Sequence, residues 1–230
     1  MIGAPLYLHA SLFMILPLYA LAFTYISYDI AGFPIGFAKA ELPFIEKLLL
    51  GAVLAIFLYI AILIHEAGHA WAAKYKGYHV KGITLFFVGG ISEMEHPRDW
   101  PKGEADVASS GIIWSVGLGA VLLSVYFLTE TLYKGWTGIA ASIFLSGFGL
   151  FNLFLGLMNA LPILPMDGGV LLRDLLRAEI GLARSSALTV LVSRAGSMII
   201  IVAGIYFINW ILVLVGLLLL ATISPRQLES

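Results

Sequence analysis

The sequence predicts an all-α polytopic membrane protein: six transmembrane helices with a small membrane-associated β-hairpin after the second span. Three observations lead there. Of 230 residues, 60% are hydrophobic and only 12% charged, and the mean hydropathy is +0.98. The apolar residues gather in runs long enough to cross a bilayer, which takes about 20 residues of helix. Between the second and third runs lies a β-branched and aromatic segment too short to cross as a helix. A net charge of -1 gives no bulk electrostatic case for nucleic-acid binding. With no cysteine, disulfides, thiolate catalysis and thiolate metal ligands are excluded, so any metal must be held by His, Asp or Glu. No internal repeat and no charge asymmetry marks a second soluble domain, so residues 1–230 read as one core domain.

The first span is read over residues 2–28, which contain no Asp, Glu, Lys or Arg. No basic residue leads the run and no A-x-A site closes it, so it reads as a retained span rather than a signal peptide. His9, a lone histidine near a helix end, reads as interfacial or hydrogen-bonded rather than as a ligand. Residues 29–46 mix Asp29, Gly32, Pro34, Gly36, Lys39, Glu41 and Pro43 with phenylalanines, the composition of an interfacial loop. The second span runs from about Lys47 to Lys74. Val80, Ile83, Leu85, Phe87, Val88 and Ile91 then predict a hairpin turning at Gly89-Gly90. Irregular backbone at membrane depth is tolerated only against protein or a water-filled cavity. Val80–Ile91 is the one stretch both extended and apolar, so its edge is a candidate to receive an unwound peptide as an added strand. Glu93, Glu95, His96, Arg98, Asp99 and Lys102 read as a solvated connection.

The third span covers about Val107 to Thr129. Gly111, Ser115 and Gly119 recur at every fourth position, which lets another helix approach closely and reads as packing. The fourth span begins near Gly138 and ends in Asn159-Ala160-Leu161-Pro162-Ile163-Leu164-Pro165-Met166-Asp167-Gly168-Gly169. Pro162 and Pro165 stop the helix, since proline lacks the amide hydrogen and clashes with the preceding turn. Gly168-Gly169 then allows a tight reversal. Residues 170–184 read as a short polar surface helix. From Ser185 to Pro225 the only charge is Arg194, which snorkels or pairs with a carboxylate. That stretch is long for one span and divides near Asn209, though its second piece is short enough to leave five spans open.

The chemistry is concentrated in His65-Glu66-Ala67-Gly68-His69. Residues four apart share a helix face, so His65 and His69 can present their rings to one ion. Glu66, beside them and not needed as a ligand, is free to take a proton from water. Zinc lowers the pKa of a bound water to about 7, which makes it a nucleophile at neutral pH. The alternative is a histidine pair satisfied by neighbouring polar groups. Ionisable groups at the end of the uncharged run Leu48–Ile64 are expensive in lipid and mark function. From His65 to Lys74 is roughly 14 Å of helix, so a metal there would lie inside the lipid zone near one surface. Asp167 is a candidate third ligand, or equally the N-cap of a helix beginning at Gly168. Asn159 is either interhelical glue or a donor to the oxyanion formed when water attacks an amide.

With six spans, Lys74, Lys76, Lys81, Arg98, Lys102, Arg173, Arg177, Arg184 and Arg226 fall on one side and Lys39, Lys47 and Lys134 on the other. The positive-inside rule then turns both motifs and both termini toward the cytoplasm of a cell membrane.

The chain resembles the site-2 proteases, intramembrane zinc metalloproteases. The resemblance is carried by His65-Glu66-Ala67-Gly68-His69 with Ala73 and Gly77, by Gly89-Gly90, and by Asn159-x-x-Pro162-x-x-Pro165-x-Asp167-Gly168. It implies a six-span core, one zinc ion on His65, His69 and Asp167, a catalytic Glu66 and an assisting Asn159. It also implies a transmembrane protein as substrate, cleaved within or near its membrane segment in regulated intramembrane proteolysis; oligomeric state stays open. Where the family often has Ala-Gly-Pro near the start of the third span, this chain has Ser110-Gly111-Ile112. No stretch is long enough for the PDZ insertion or CBS tail of some members. Two rivals make different demands. A membrane prenyl-protein protease would take a downstream glutamate, Glu93, Glu95 or Glu179, as third ligand. A metal transporter would line a path with further His and carboxylates.

Overall fold

The computed structural model describes residues 4–30, 32–87, 89–95, 103–129 and 135–223. Its elements, in order, are β1 (Leu6–Leu8), α1 (Ala10–Tyr25), β2 (Tyr28–Ile30), β3 (Phe33–Ile35), α2 (Phe44–Tyr75), β4 (His79–Phe86), β5 (Gly89–Glu95), α3 (Glu104–Thr129), α4 (Gly135–Asn159), α5 (Asp167–Ile180), α6 (Leu182–Tyr206) and α7 (Trp210–Thr222). Among the described residues four helices are long and apolar enough to cross a membrane: Phe44–Tyr75, Glu104–Leu128, Ala140–Asn159 and Leu182–Tyr206. The 16 residues of α1 and 13 of α7 are shorter, about 24 and 20 Å of helix against a hydrocarbon core of about 30 Å. The chain forms two compact units, Met1–His96 with Ile113–Gly156, and Pro97–Ile112 with Leu157–Ser230.

In the first unit, α1 and α2 pack tightly because small residues let their backbones meet. A Cβ on Gly51 would lie 2.5 Å from the Ala20 carbonyl oxygen. A core of Leu12, Tyr59, Ala70, Ile83 and Leu85 joins both helices to β4. The sheet has the order β1-β4-β5, with β1 parallel to β4 and β5 antiparallel to it. The predicted hairpin is therefore part of a three-stranded sheet, and the N-terminal run is a strand followed by a shorter helix rather than one span over residues 2–28. The reason lies in distant partners: Leu6 and Leu8 pair with Ile83 and Leu85, which nothing local to the N-terminus announces. His9 caps α1, its Nδ1 accepting from the Ser11 amide at 3.2 Å, in line with a hydrogen-bonded rather than a ligating role.

The turn of the hairpin also differs from expectation. Gly89 and Gly90 begin β5, opposite Phe86 and Leu85, and Glu93 and Glu95 continue the strand. The bend instead falls at Phe87, held by Tyr59 Oη donating to its carbonyl at 3.0 Å and by its amide donating to Ser11 Oγ at 3.1 Å. At the edge of residues 29–46, expected as loop, Tyr28–Ile30 and Phe33–Ile35 form a small antiparallel hairpin around Gly32, whose amide donates to Asp29 Oδ1 at 2.7 Å. His96, Arg98, Asp99 and Lys102 lie outside the described residues. The α3–α4 contact is as close as the small-residue repeat predicts: a Cβ on Gly119 would lie 2.7 Å from the Leu153 nitrogen, and one on Gly156 3.1 Å from Ser115 Cβ.

In the second unit the start of α3 is clamped to α5. Arg173 and Glu104 pair at 2.7 Å, and Asp174 Oδ2 accepts from the Ala105 amide at 2.9 Å. Leu164, Val190 and Ile223 form a core with Val170 against it. The expected break near Asn209 is present, and Asn209 Oδ1 caps α7 by accepting from the amides of Ile211 and Leu212. Gly168 and Gly169 are not a reversal. They lie in the first turn of α5, where a Cβ on Gly168 would run into the carbonyls of Ala160 and Leu161. Glycine here serves close approach, not a bend.

Candidate metal centre

On α2, four residues make slightly more than one turn, so His65 and His69 leave the same face. Their Nε2 atoms are 3.2 Å apart and their ring planes stand at 89°. Two nitrogens bound to one zinc at about 2.0–2.1 Å and a tetrahedral angle would be about 3.3 Å apart, so the pair is already at that spacing. Both rings are buried, 4% and 7% exposed. An imidazole that offers Nε2 to a metal carries its proton on Nδ1. His65 Nδ1 meets Ser115 Oγ on α3 at 3.0 Å, a partner for that proton.

Asp167 is the first residue of α5. The N-cap is Met166, whose side chain makes no capping hydrogen bond, so the N-cap reading of Asp167 is corrected. The approach to it is fixed by short bonds. The Leu164 amide donates to Ser193 Oγ at 2.9 Å, and the Met166 amide donates to the Ile163 carbonyl at 2.9 Å. One donor atom each from His65, His69 and Asp167 lie within 4.8 Å of one another, the only such group of three among the described residues. Two imidazoles and a carboxylate are a donor set that suits zinc and leaves a coordination position open. Glu93, Glu95 and Glu179, the glutamates a prenyl-protein protease would need, are not in the group. Glu95 instead pairs with Lys81 at 3.0 Å, and the Lys81 hydrogen bond and charge hold its carboxyl below the usual carboxylate range.

Glu66, half-buried on the next position of α2, is engaged by β5. Ser92 Oγ donates to Glu66 Oε2 at 2.7 Å and also lies 3.1 Å from the Glu66 carbonyl. Asn159 is the half-buried last residue of α4. Two residues escaped the reading of the sequence. Ser115 was assigned to packing alone, although it is the one polar member of its small-residue repeat. Ser92 carried no signal beyond following Gly89-Gly90.

Comparison with known proteins bears on this geometry. A family model described as Peptidase family M50 matches residues 53–203. A zinc metalloprotease of Methanocaldococcus jannaschii is 32% identical over 167 residues, covering 72% of this chain and 47% of its own. Stage IV sporulation protein FB of Bacillus subtilis is 31% identical over 119 residues, covering 50% of this chain and 37% of its own. The chain thus spans less than half the length of these curated relatives. Among solved structures, the site-2 protease from Methanocaldococcus jannaschii aligns with a TM-score of 0.62 and 26% identity, over 100% of this chain and 93% of that one.

Proposed function

The chain belongs to Peptidase family M50, and we propose that it is an intramembrane zinc endopeptidase that hydrolyses a peptide bond within or near a transmembrane segment of another membrane protein. The observation that carries this reading is the meeting of His65, His69 and Asp167 donor atoms, with two of the three residues on a 32-residue apolar helix.

In this reading His65 and His69, through Nε2, and Asp167 hold the metal. Zinc, when bound there, supplies Lewis acidity that polarises a carbonyl and makes water nucleophilic near neutral pH. Glu66 accepts the proton of the attacking water and delivers it to the leaving amine, as one C–O bond forms and the C–N bond breaks. Asn159 donates a hydrogen bond to the carbonyl oxygen as charge develops on it. Ser115 keeps His65 turned to the metal.

The substrate must unwind before it can be cut, because a helix hides its amides in internal hydrogen bonds. In lipid each released group costs several kcal/mol without a partner. In the sheet order β1-β4-β5, β4 is paired on both sides over Ile83–Leu85, so we place the added strand on the outer edge of β5 rather than on the whole of Val80–Ile91. Residues 1–230 act as one core with six spans, α1 and α7 completing the four longer helices, and the hairpin lies at the membrane. The excess of Lys and Arg turns the site and both termini toward the cytoplasm of the cell membrane, in a role within regulated intramembrane proteolysis.

The test is Glu66→Gln in purified protein with a transmembrane peptide as substrate. It is expected to retain zinc and lose about 10⁴-fold in rate, the upper end for an acid–base group. A metal-free Gln variant would make Glu66 a ligand, and full cleavage by zinc-depleted wild type would end the metalloprotease reading.

A further inference from the structure

We infer that Ser92 is a positioning residue for the Glu66 carboxylate, so that strand β5 sets where the general base points. This deepens the proposed function and rests on Glu66 being the base. Side chains along a strand alternate between faces. Along β5 the exposed residues are Ile91, Glu93 and Glu95, while Gly90, Ser92 and Met94 are half-buried on the opposite face. Two members of that half-buried face touch the same residue of α2. A Cβ on Gly90 would lie 2.7 Å from Glu66 Cγ and 3.0 Å from Ile62 Cγ2, so glycine leaves room for the stem of Glu66. Ser92, two residues on, reaches the far end of that side chain, its hydroxyl 2.7 Å from Oε2.

A serine hydroxyl has one proton to donate, and two acceptors are in reach. The carboxylate oxygen at 2.7 Å is the stronger and nearer, against 3.1 Å for the Glu66 carbonyl. The bond occupies Oε2 and leaves Oε1 for water. Gly90 and Ser92 together thus fix the stem and the tip of Glu66 from one strand. The same strand is one of the two edge strands of the sheet, β1 being the other. A peptide added to β5 is held by the strand that orients the base, so the register of pairing and the direction of proton transfer are set by one rigid element.

The test compares wild type with Ser92→Ala, Ser92→Thr, Gly90→Ala, Glu66→Gln and the Ser92→Ala/Glu66→Gln double variant. Each is purified with its zinc content and thermal midpoint measured. Ser92→Ala keeps Cβ and removes only the hydroxyl, and is expected to lower kcat about 10–100-fold, the usual scale for an outer-shell partner. KM, zinc content and thermal midpoint should stay at wild-type values. Threonine keeps the hydroxyl and suits a strand, so Ser92→Thr should restore most of the lost rate. Gly90→Ala should lower kcat in the same manner by displacing the Glu66 stem. In the Glu66→Gln background, Ser92→Ala should cost nothing further, because residues acting as a unit are not additive.

The two readings fail differently. Wild-type turnover by Glu66→Gln overturns the base assignment and this role with it. An inactive, zinc-loaded Glu66→Gln beside a Ser92→Ala of wild-type kcat overturns the role of Ser92 alone. Loss of rate in Ser92→Ala that follows loss of zinc or of thermal stability, or that threonine does not rescue, also overturns it.

Discussion

Removing the Ser115 hydroxyl should loosen the metal without loosening the fold. Ser115 is fully buried and His65 is 4% exposed, with Nδ1 and Oγ 3.0 Å apart. Taking one partner from a buried hydrogen bond costs about 1–3 kcal/mol. At about 1.4 kcal/mol per tenfold, that is roughly 5–150-fold in zinc affinity. The figure overlaps the 10–100-fold typical of groups that orient metal-bound histidines. Alanine is the suitable replacement because it keeps Cβ where Gly156 approaches it, so the α3–α4 contact persists. It is also a good helix former. The assay is equilibrium competition for zinc against a chromophoric chelator, in detergent, on Ser115→Ala and wild type. Far-UV circular dichroism and the thermal midpoint of the metal-free forms serve as controls. Zinc affinity in Ser115→Ala equal to wild type would refute the reasoning. So would a fall in affinity matched by an equal fall in metal-free stability.

The remaining predictions concern packing, the sheet and an exposed ion pair. Gly119→Ala places a methyl 2.7 Å from the Leu153 nitrogen, a backbone atom that cannot swing aside. Overpacking of this kind costs about 1–3 kcal/mol, to be read as a lowered thermal midpoint. Proline at Ile91 or Met94 on β5, positions whose amides point to opposite sides of the strand, deletes a strand donor. At whichever of the two points outward it should slow cleavage of a helical peptide without loss of zinc, and wild-type rates for both variants would remove the added-strand reading. Lys81 lowers the Glu95 carboxyl, so the pair favours folding above the ordinary glutamate range and loses that preference as pH falls through the lowered value. Lys81→Met should move the Glu95 titration upward in a carboxyl NMR titration. Because both side chains are half exposed, at 50% and 55%, the thermal midpoint should fall only slightly.

What the sequence determined by itself are the features written in local spacing. His65 and His69 share a face because a helix repeats every 3.6 residues, and that follows wherever the helix goes. The close approach at Gly119 and the break before the cap Asn209 are equally local, resting on side-chain size and on a side chain bonding its own neighbours. Tertiary structure decided everything that needed a partner from far along the chain. Leu6 and Leu8 became a strand because Ile83 and Leu85 stood beside them, although alone they read as the start of an apolar helix. Gly168 read as a bend because glycine permits one, yet the carbonyls of Ala160 and Leu161 are what exclude a side chain there. Local spacing reads Asp167 evenly as cap or ligand; the fold makes Met166 the N-cap and brings the aspartate within reach of two histidines about 100 residues earlier in the chain. Ser115 and Ser92 are the clearest case. A hydroxyl has no period and no motif, and only the fold brought one to His65 and the other to Glu66. A helix or strand is selected by neighbours in sequence, whereas a hydrogen bond across a core is selected by neighbours in space.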